Sequence, residues 1–172
     1  MKELILLTGT MGVGKSTVGL RLAALWRERG GVPAGLLTRT AGGERYLRDV
    51  ATGAERLLAV EGAALAGPRW GRFSFSQEAL DWANQAMRRA VDGPADLLLL
   101  DEVGPLELIV GTGFLPALHL LLRSDQAGLV VVRPTLLDPL RALAGGRPVR
   151  VYEVTLENRD GLAEQISNEM AE

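Results

Sequence analysis

The sequence predicts an α/β fold: a mostly parallel sheet flanked by helices, with an antiparallel hairpin as an extension. Three observations predict it. Short apolar runs alternate with longer stretches of helical period along the chain, the pattern of strands linked by crossover helices. The runs are apolar at successive positions, which suits strands covered on both faces and hence a parallel sheet. One region departs from the alternation and reads as two strands joined by a turn.

The elements follow in order. Leu4 to Thr8 is the first strand; it is too short for a signal or membrane segment and leads into a glycine-rich loop. Ser16 to Arg29 is helical, with Val18, Leu22, Leu25 and Trp26 on one stripe and Gly30-Gly31 as its stop. Gly35 to Thr38 is the second strand. "GERYLRDVATGAERLLAV", residues 43–60, has two strand-like runs around Thr52-Gly53, a hairpin signal, and "GRFSFS" at 71–76 adds a short strand. Gln77 to Val91 is a helix that opens after Ser76, a good N-cap, and stops at Gly93-Pro94. Leu97 to Asp101, Leu129 to Val132 and Val149 to Val154 are the remaining core strands. Phe114 to Arg123, Leu136 to Ala144 and Asp160 to Met170 are the remaining helices. No repeat or low-complexity linker divides the chain, so residues 1–172 form a single domain.

Composition excludes several classes of function. The formal net charge of −2 gives no global basic field, so no nucleic-acid partner is expected. Cysteine is absent, which removes disulfides, thiolate zinc sites and thiol catalysis. A cytoplasmic protein without a membrane partner is the expectation. Lys2 and Lys15 are the only lysines, so Lys15 is not one of many interchangeable surface charges.

Lys15 lies in the strongest motif. "GTMGVGKST", Gly9 to Thr17, fits G-x-x-x-x-G-K-[ST], after a strand and at the opening of a helix, the context of a phosphate-binding loop. The candidate nucleotide-binding residues are Gly9, Thr10, Met11, Gly12, Val13, Gly14, Lys15, Ser16 and Thr17. The glycines let the backbone approach phosphate, and the N–H groups from Gly12 to Thr17 point inward at the positive end of the helix. Lys15 reaches the β- and γ-phosphates, the Ser16 hydroxyl can ligate Mg²⁺, and Thr17 can donate to the α-phosphate.

A second motif answers the first. In "LLLLDEVGPLEL", residues 97–108, a buried strand runs into Asp101 and Glu102, with Glu107 close behind. Ionised carboxylates at the end of an apolar strand are costly without a positive partner. Asp101 is placed to hold Mg²⁺ beside the phosphate loop. Glu102 is then free to act as base or positioning group for a water attacking the γ-phosphate; a surface salt bridge is its alternative use. Glu107 supports the site or is a solvated loop acid. The Asp-Glu pair favours the branch of phosphate-loop folds in which another strand separates the loop strand from the acidic strand. The expected order is therefore 149–154, 4–8, 129–132, 97–101, 35–38.

Four stretches taken together resemble a known family: "LLTGTMGVGKST", "GLLT" before a glycine-broken hairpin, "LLLLDEVGPLEL" and "VYEVTLENRDGL". The chain resembles the small nucleoside-triphosphatases first described in thermophiles, whose animal members are called cancer-related nucleoside-triphosphatase. The resemblance implies a recombinase-like phosphate-loop fold and slow, broad hydrolysis of nucleoside triphosphates. It also implies that Lys15, Ser16, Asp101 and Glu102 carry the roles above and that Glu107 belongs to the site. The sequence departs from the family after "GLLT", where it reads Arg39-Thr40-Ala41-Gly42-Gly43, and after the strand at 129–132, where Arg133-Pro134 replaces the family's usual threonine. Arg133 can stabilise charge on the transferring phosphoryl group, or pair with a nearby acid.

Two regions remain. In "TLENRDGL", residues 155–162, Asn158 suits a base edge and Arg159 a base face; capping by Thr155 or Asn158 with a solvent-facing arginine is the alternative. Arg39, Arg45, Arg48, Arg56, Arg69 and Arg72 crowd the hairpin region, which is either a solvated sheet extension or a lid or partner surface over the site. His119 has no ligand partners at useful spacing and reads as structural. Hydrolysis leads, with Mg²⁺ as cofactor and nucleoside triphosphates as ligands. A nucleotide or small-molecule kinase, and a nucleotide-dependent switch acting through a protein partner, stay open.

Overall fold

The structure is a computed structural model that describes residues 1–171. The chain runs β1 (Leu4–Thr8), α1 (Lys15–Glu28), β2 (Pro33–Ala41), β3 (Glu44–Asp49), β4 (Glu55–Glu61), β5 (Arg69–Trp70), β6 (Phe73–Phe75) and α2 (Gln77–Asp92). It continues with β7 (Leu97–Val103), α3 (Leu115–Arg123), β8 (Ala127–Val132), α4 (Leu137–Ala144), β9 (Val149–Glu153) and α5 (Leu162–Glu169). One sheet of nine strands holds the described residues together, in the order β5-β6-β4-β3-β2-β7-β8-β1-β9. The five strands from β2 to β9 in that order are parallel, and β3 to β6 add antiparallel pairs on the outer side of β2. The order expected for the five core strands is the order observed, with β8 between β1 and β7.

The period-2 geometry of each strand divides the core in two. Leu4 and Leu6 of β1 pack with residues of α2, α3 and α4 on one face, and Ile5 and Leu7 pack with residues of α1 and α5 on the other. All four are fully buried, each contributing about 1.5–3 kcal/mol by removal from water. That two-sided burial is why the runs are apolar at every position. The Ser76 hydroxyl accepts from Ala79 N at 3.1 Å and starts α2, as its sequence predicts.

Among the departures from expectation, which include a β8 that begins at Ala127, three have a cause in the structure. β2 begins earlier and ends later than Gly35–Thr38, because its first half pairs with β7 and its second with β3. β7 continues past Asp101 to Val103 through a break in its register with β8. The terminal helix starts at Leu162, two residues after Asp160, because Arg159 N donates to Thr155 O and Gly161 N to Asn158 O in a separate turn. Gly35 is needed inside β2: at φ 115° it lies against β7, and a Cβ there would stand 2.0 Å from Leu99 O.

Candidate active site

The C-terminal ends of β1, β2, β7 and β8 meet at one edge of the sheet, where ligands bind in open α/β folds. At the end of β1 the chain turns at Gly9, whose φ is 143° and where a Cβ would meet Val154 O at 2.6 Å. It then enters α1, which has no side-chain cap and no acidic residue in its first turn. The positive end of α1 is thus left for an external anion. Lys15 folds over the loop, with Nζ donating to Gly9 O at 2.8 Å and to Thr10 O at 2.7 Å. Burial pushes its ammonium below the ordinary lysine range, against the raising fields of Asp101 and Glu102.

Asp101 stands opposite. It is 2% exposed, and its Oδ2 accepts from the Ser16 hydroxyl, from Thr38 Oγ1 at 2.8 Å and from Thr38 N at 3.2 Å. Its Oδ1 accepts from Glu102 N at 2.7 Å. Donors therefore meet both oxygens of this buried carboxylate. Sequence reasoning missed Thr38 as a member of this cluster; its only signal was its place as the last residue of "GLLT". No group of three or more acidic, histidine or cysteine side chains suited to a metal occurs among the described residues. One carboxylate beside a serine hydroxyl nevertheless fits Mg²⁺, which prefers hard oxygen donors and uses one or two carboxylates with substrate phosphates.

Glu102 is the one non-glycine residue with positive φ among those described, at 65°. The register break in β7 explains it. Between Leu100 and Val103 the strand bulges, and a bulge re-aims the residue it displaces. Asp101 consequently turns toward Ser16, while the Glu102 carboxylate accepts from Arg45 Nη1 at 3.0 Å. Burial, then the charge of Asp101, raises the Glu102 carboxyl above the usual glutamate range, while Arg45, Arg133 and Lys15 act against that.

The other candidates separate. Arg133 follows β8 into the cleft, and its field reaches both Lys15 and Glu102. Glu107 is buried, and its carboxylate accepts from Gly104 N at 2.8 Å and Phe114 N at 2.9 Å, bracing a wide turn at Leu106–Val110. Burial pushes it up to about 7. Of the phosphate-loop residues, Val13 alone turns its side chain into the core. Asn158 adopts the capping arrangement: its amide oxygen accepts from Thr155 N at 2.8 Å and its amide nitrogen donates to Glu153 O at 2.8 Å. Arg159 lies against the phosphate loop, with Nη1 donating to Val13 O at 3.4 Å. Neither Asn158 nor Arg159 lines the cleft. His119 sits half-buried on α3, outside it.

The hairpin region forms the facing wall of a cleft of about 1050 Å³. It is both the antiparallel extension and part of the site. Arg39, Arg45, Arg48 and Arg72 line the cleft, whereas Arg56 stacks on Trp82. Arg39 is engaged by Glu55 in two hydrogen bonds and lies over Tyr46.

Comparison with known proteins gives a consistent result. A family model described as NTPase matches residues 4–167. The nucleoside-triphosphatase THEP1 of Thermofilum pendens is 38% identical over 174 residues, covering 96% of this chain and 94% of that protein. The protein of the same name from Methanopyrus kandleri is 34% identical, covering 100% and 97%. The crystal structure of THEP1 from Aquifex aeolicus superposes with a TM-score of 0.73 at 19% identity, over 98% of this chain and 99% of that one. The solution structure of a human cancer-related nucleoside triphosphatase gives 0.72 at 22% identity, over 97% and 96%.

Proposed function

The chain belongs to the NTPase family, and on that footing we propose that it hydrolyses nucleoside 5′-triphosphates, ATP and GTP among them, to the diphosphate and phosphate with Mg²⁺. The observation that carries the reading is the division of labour at the β7 bulge: Asp101 turns to Ser16, and Glu102 turns into the cleft that Lys15 enters. With β8 interposed, β1 and β7 stand two strand spacings apart, about 10 Å, and the γ-phosphate and its attacking water fill that span.

The loop amides and Lys15 hold the β- and γ-phosphates. Ser16 and Asp101 would hold Mg²⁺, which when bound neutralises charge on the phosphates. A water oxygen bonds to the γ-phosphorus as the bond to the β–γ bridging oxygen breaks. Glu102 orients that water and takes a proton from it. Arg133 adds positive charge beside the transferring group. Arg159 remains the candidate for stacking on a base, supported by its contact with the phosphate loop at Val13 O, and Asn158 shapes the turn that carries it. The principal contacts are to phosphates, which all nucleoside triphosphates share, and broad base use follows.

Product analysis with Mg–ATP and Mg–GTP, with and without candidate phosphate acceptors, tests the reading. Diphosphate and phosphate in equal amounts without an acceptor are expected. Weak turnover that an acceptor stimulates, with transfer of label to it, would replace hydrolysis by kinase activity; turnover seen only with a protein partner would replace it by a switch. Lys15→Ala is expected to weaken triphosphate binding more than nucleoside binding in calorimetry. Equal triphosphate affinity would contradict the phosphate-loop assignment.

A further inference from the structure

We propose that Arg45 is a catalytic arginine supplied from within the chain: paired with Glu102 in the structure, it transfers to the γ-phosphoryl oxygens of a bound triphosphate and so releases Glu102 to the attacking water. The proposal rests on the hydrolase reading above and adds a residue and a switch to it.

Arg45 comes from β3, on the hairpin wall, not from the phosphate-loop core. Its guanidinium lies over the Phe73 ring, 4.3 Å from the centroid, and its side chain is 15% exposed. Stacking fixes the planar group at the cleft wall while leaving its edge donors free to change partner. Among the described residues one guanidinium hydrogen bond is made, to Glu102 Oε2 at 3.0 Å. The remaining donors suit the paired oxygens of a phosphoryl group.

The other arginines of the wall are placed less well, and Arg48 among them is exposed. Arg39 is held by the two bonds it donates to Glu55. Arg72 is 71% exposed and leans toward Glu61. Arg45 already touches the carboxylate that must act on the water. A glutamate bonded to a guanidinium is a poor proton acceptor, so the pair has to part before Glu102 can act on the water. An arriving γ-phosphate brings a larger negative charge to the same spot and competes for Arg45. It would also repel Glu102 unless a cation stood between them. In the transferred arrangement the water oxygen bonds to phosphorus, the bridging oxygen leaves with the nucleoside diphosphate, and a water proton passes to Glu102. Arg45 neutralises the equatorial oxygens and itself exchanges no proton.

The test uses the full chain with Arg45→Gln and Arg45→Lys, and measures binding as well as turnover. Calorimetry gives the affinity for Mg–ADP with and without fluoroaluminate, which stands in for the transferring phosphoryl group. Wild type is expected to bind Mg–ADP on the order of 10²-fold more tightly with fluoroaluminate. Arg45→Gln is expected to keep plain Mg–ADP affinity within a few-fold, lose that gain, and lower kcat roughly 10²- to 10³-fold with little change in KM. Arg45→Lys keeps charge and stem, which covers the case in which glutamine loosens the hairpin. It is expected to melt like wild type and recover only part of the gain, since an ammonium does not bridge two oxygens. A full fluoroaluminate gain and wild-type kcat in both variants would overturn the role of Arg45 and leave hydrolysis standing. A wild type with neither the gain nor hydrolysis would overturn the hydrolase reading itself, and the proposal with it.

Discussion

Glu102 holds a left-handed backbone that costs a non-glycine residue on the order of 1–3 kcal/mol. The bulge that imposes it makes two adjacent carboxylates face different partners, so they are expected to fail differently. Asp101→Asn removes the charge facing Ser16 and is expected to weaken the Mg²⁺-dependent part of nucleotide binding. Glu102→Gln keeps shape but loses the basic oxygen. It is expected to leave Mg–nucleotide affinity within a few-fold and slow turnover by roughly 10²- to 10⁴-fold, trapping intact triphosphate on the protein in quenched, chromatographed samples. Near-normal hydrolysis by Glu102→Gln would return Glu102 to its other use, the ion pair with Arg45. Much at this scale was legible in the sequence. Glycines, a lysine and paired acids after an apolar run are chemically loud. Thr38 was silent, because a threonine closing a strand has no distinguishing neighbour, and its partner lies 63 positions away. Arg45 was one arginine among six until the fold brought it to Glu102.

At the scale of elements, legibility followed locality. Strands covered on both faces announce themselves through solid apolar runs, and α2 through its Ser76 cap and Gly93-Pro94 stop. The wide turn at Leu106–Val110 did not, because its shape depends on Glu107 reaching the amide of Phe114. The two-residue β5 exists only through its pairing with β6. Another tertiary device lies at the end of the sheet opposite the site. Arg147, 3% exposed, donates to Lys2 O at 3.0 Å, to Leu121 O at 2.7 Å beside the end of α3, and to Gln126 O. It thereby ties the start of the chain, the end of α3 and the segment before β8 together through their carbonyls. Arg147→Met is expected to destabilise by about 1–3 kcal/mol in denaturant unfolding, since several hydrogen bonds from one charged donor to backbone carbonyls are lost at once. Mg–ATP affinity of the folded variant is expected to match wild type. A stability change below about 0.5 kcal/mol would mean those carbonyls are otherwise satisfied.

For the whole molecule, topology was legible because chemistry implied it: an Asp-Glu pair called for a strand between loop and acids, and β8 occupies that place. The hairpin's position over the cleft was legible only as one of two readings, since alternating charge along a strand does not decide what it faces. The site also leaves a mark on the stability of the entire domain. Glu107 is buried, and its folded value lies at about 7 against an ordinary 4.5. Well below pH 4.5 the group is protonated in folded and unfolded chains alike, and its burial carries no charge penalty. Between pH 4.5 and about 7 the unfolded chain releases the proton first, so the folded state binds more protons and stability falls as pH rises. Above that the loss levels off on the order of 3 kcal/mol. Glu102, also raised, acts in the same direction. The exposed pairs of Glu55 with Arg39 and Glu164 with Arg21 lower those carboxyls and act oppositely, but only at more acid pH. Melting temperature is therefore expected to peak in mildly acid solution and decline toward pH 8. Glu107→Gln offers one acceptor to two amide donors, so it is expected to melt below wild type near pH 5. Its curve should then be flatter and converge on wild type as pH rises, as followed by circular dichroism across pH 4.5 to 8. A wild-type melting temperature that climbs over this interval, or a variant curve that stays parallel to it, would show that Glu107 is ionised throughout and that its two backbone donors outweigh its burial.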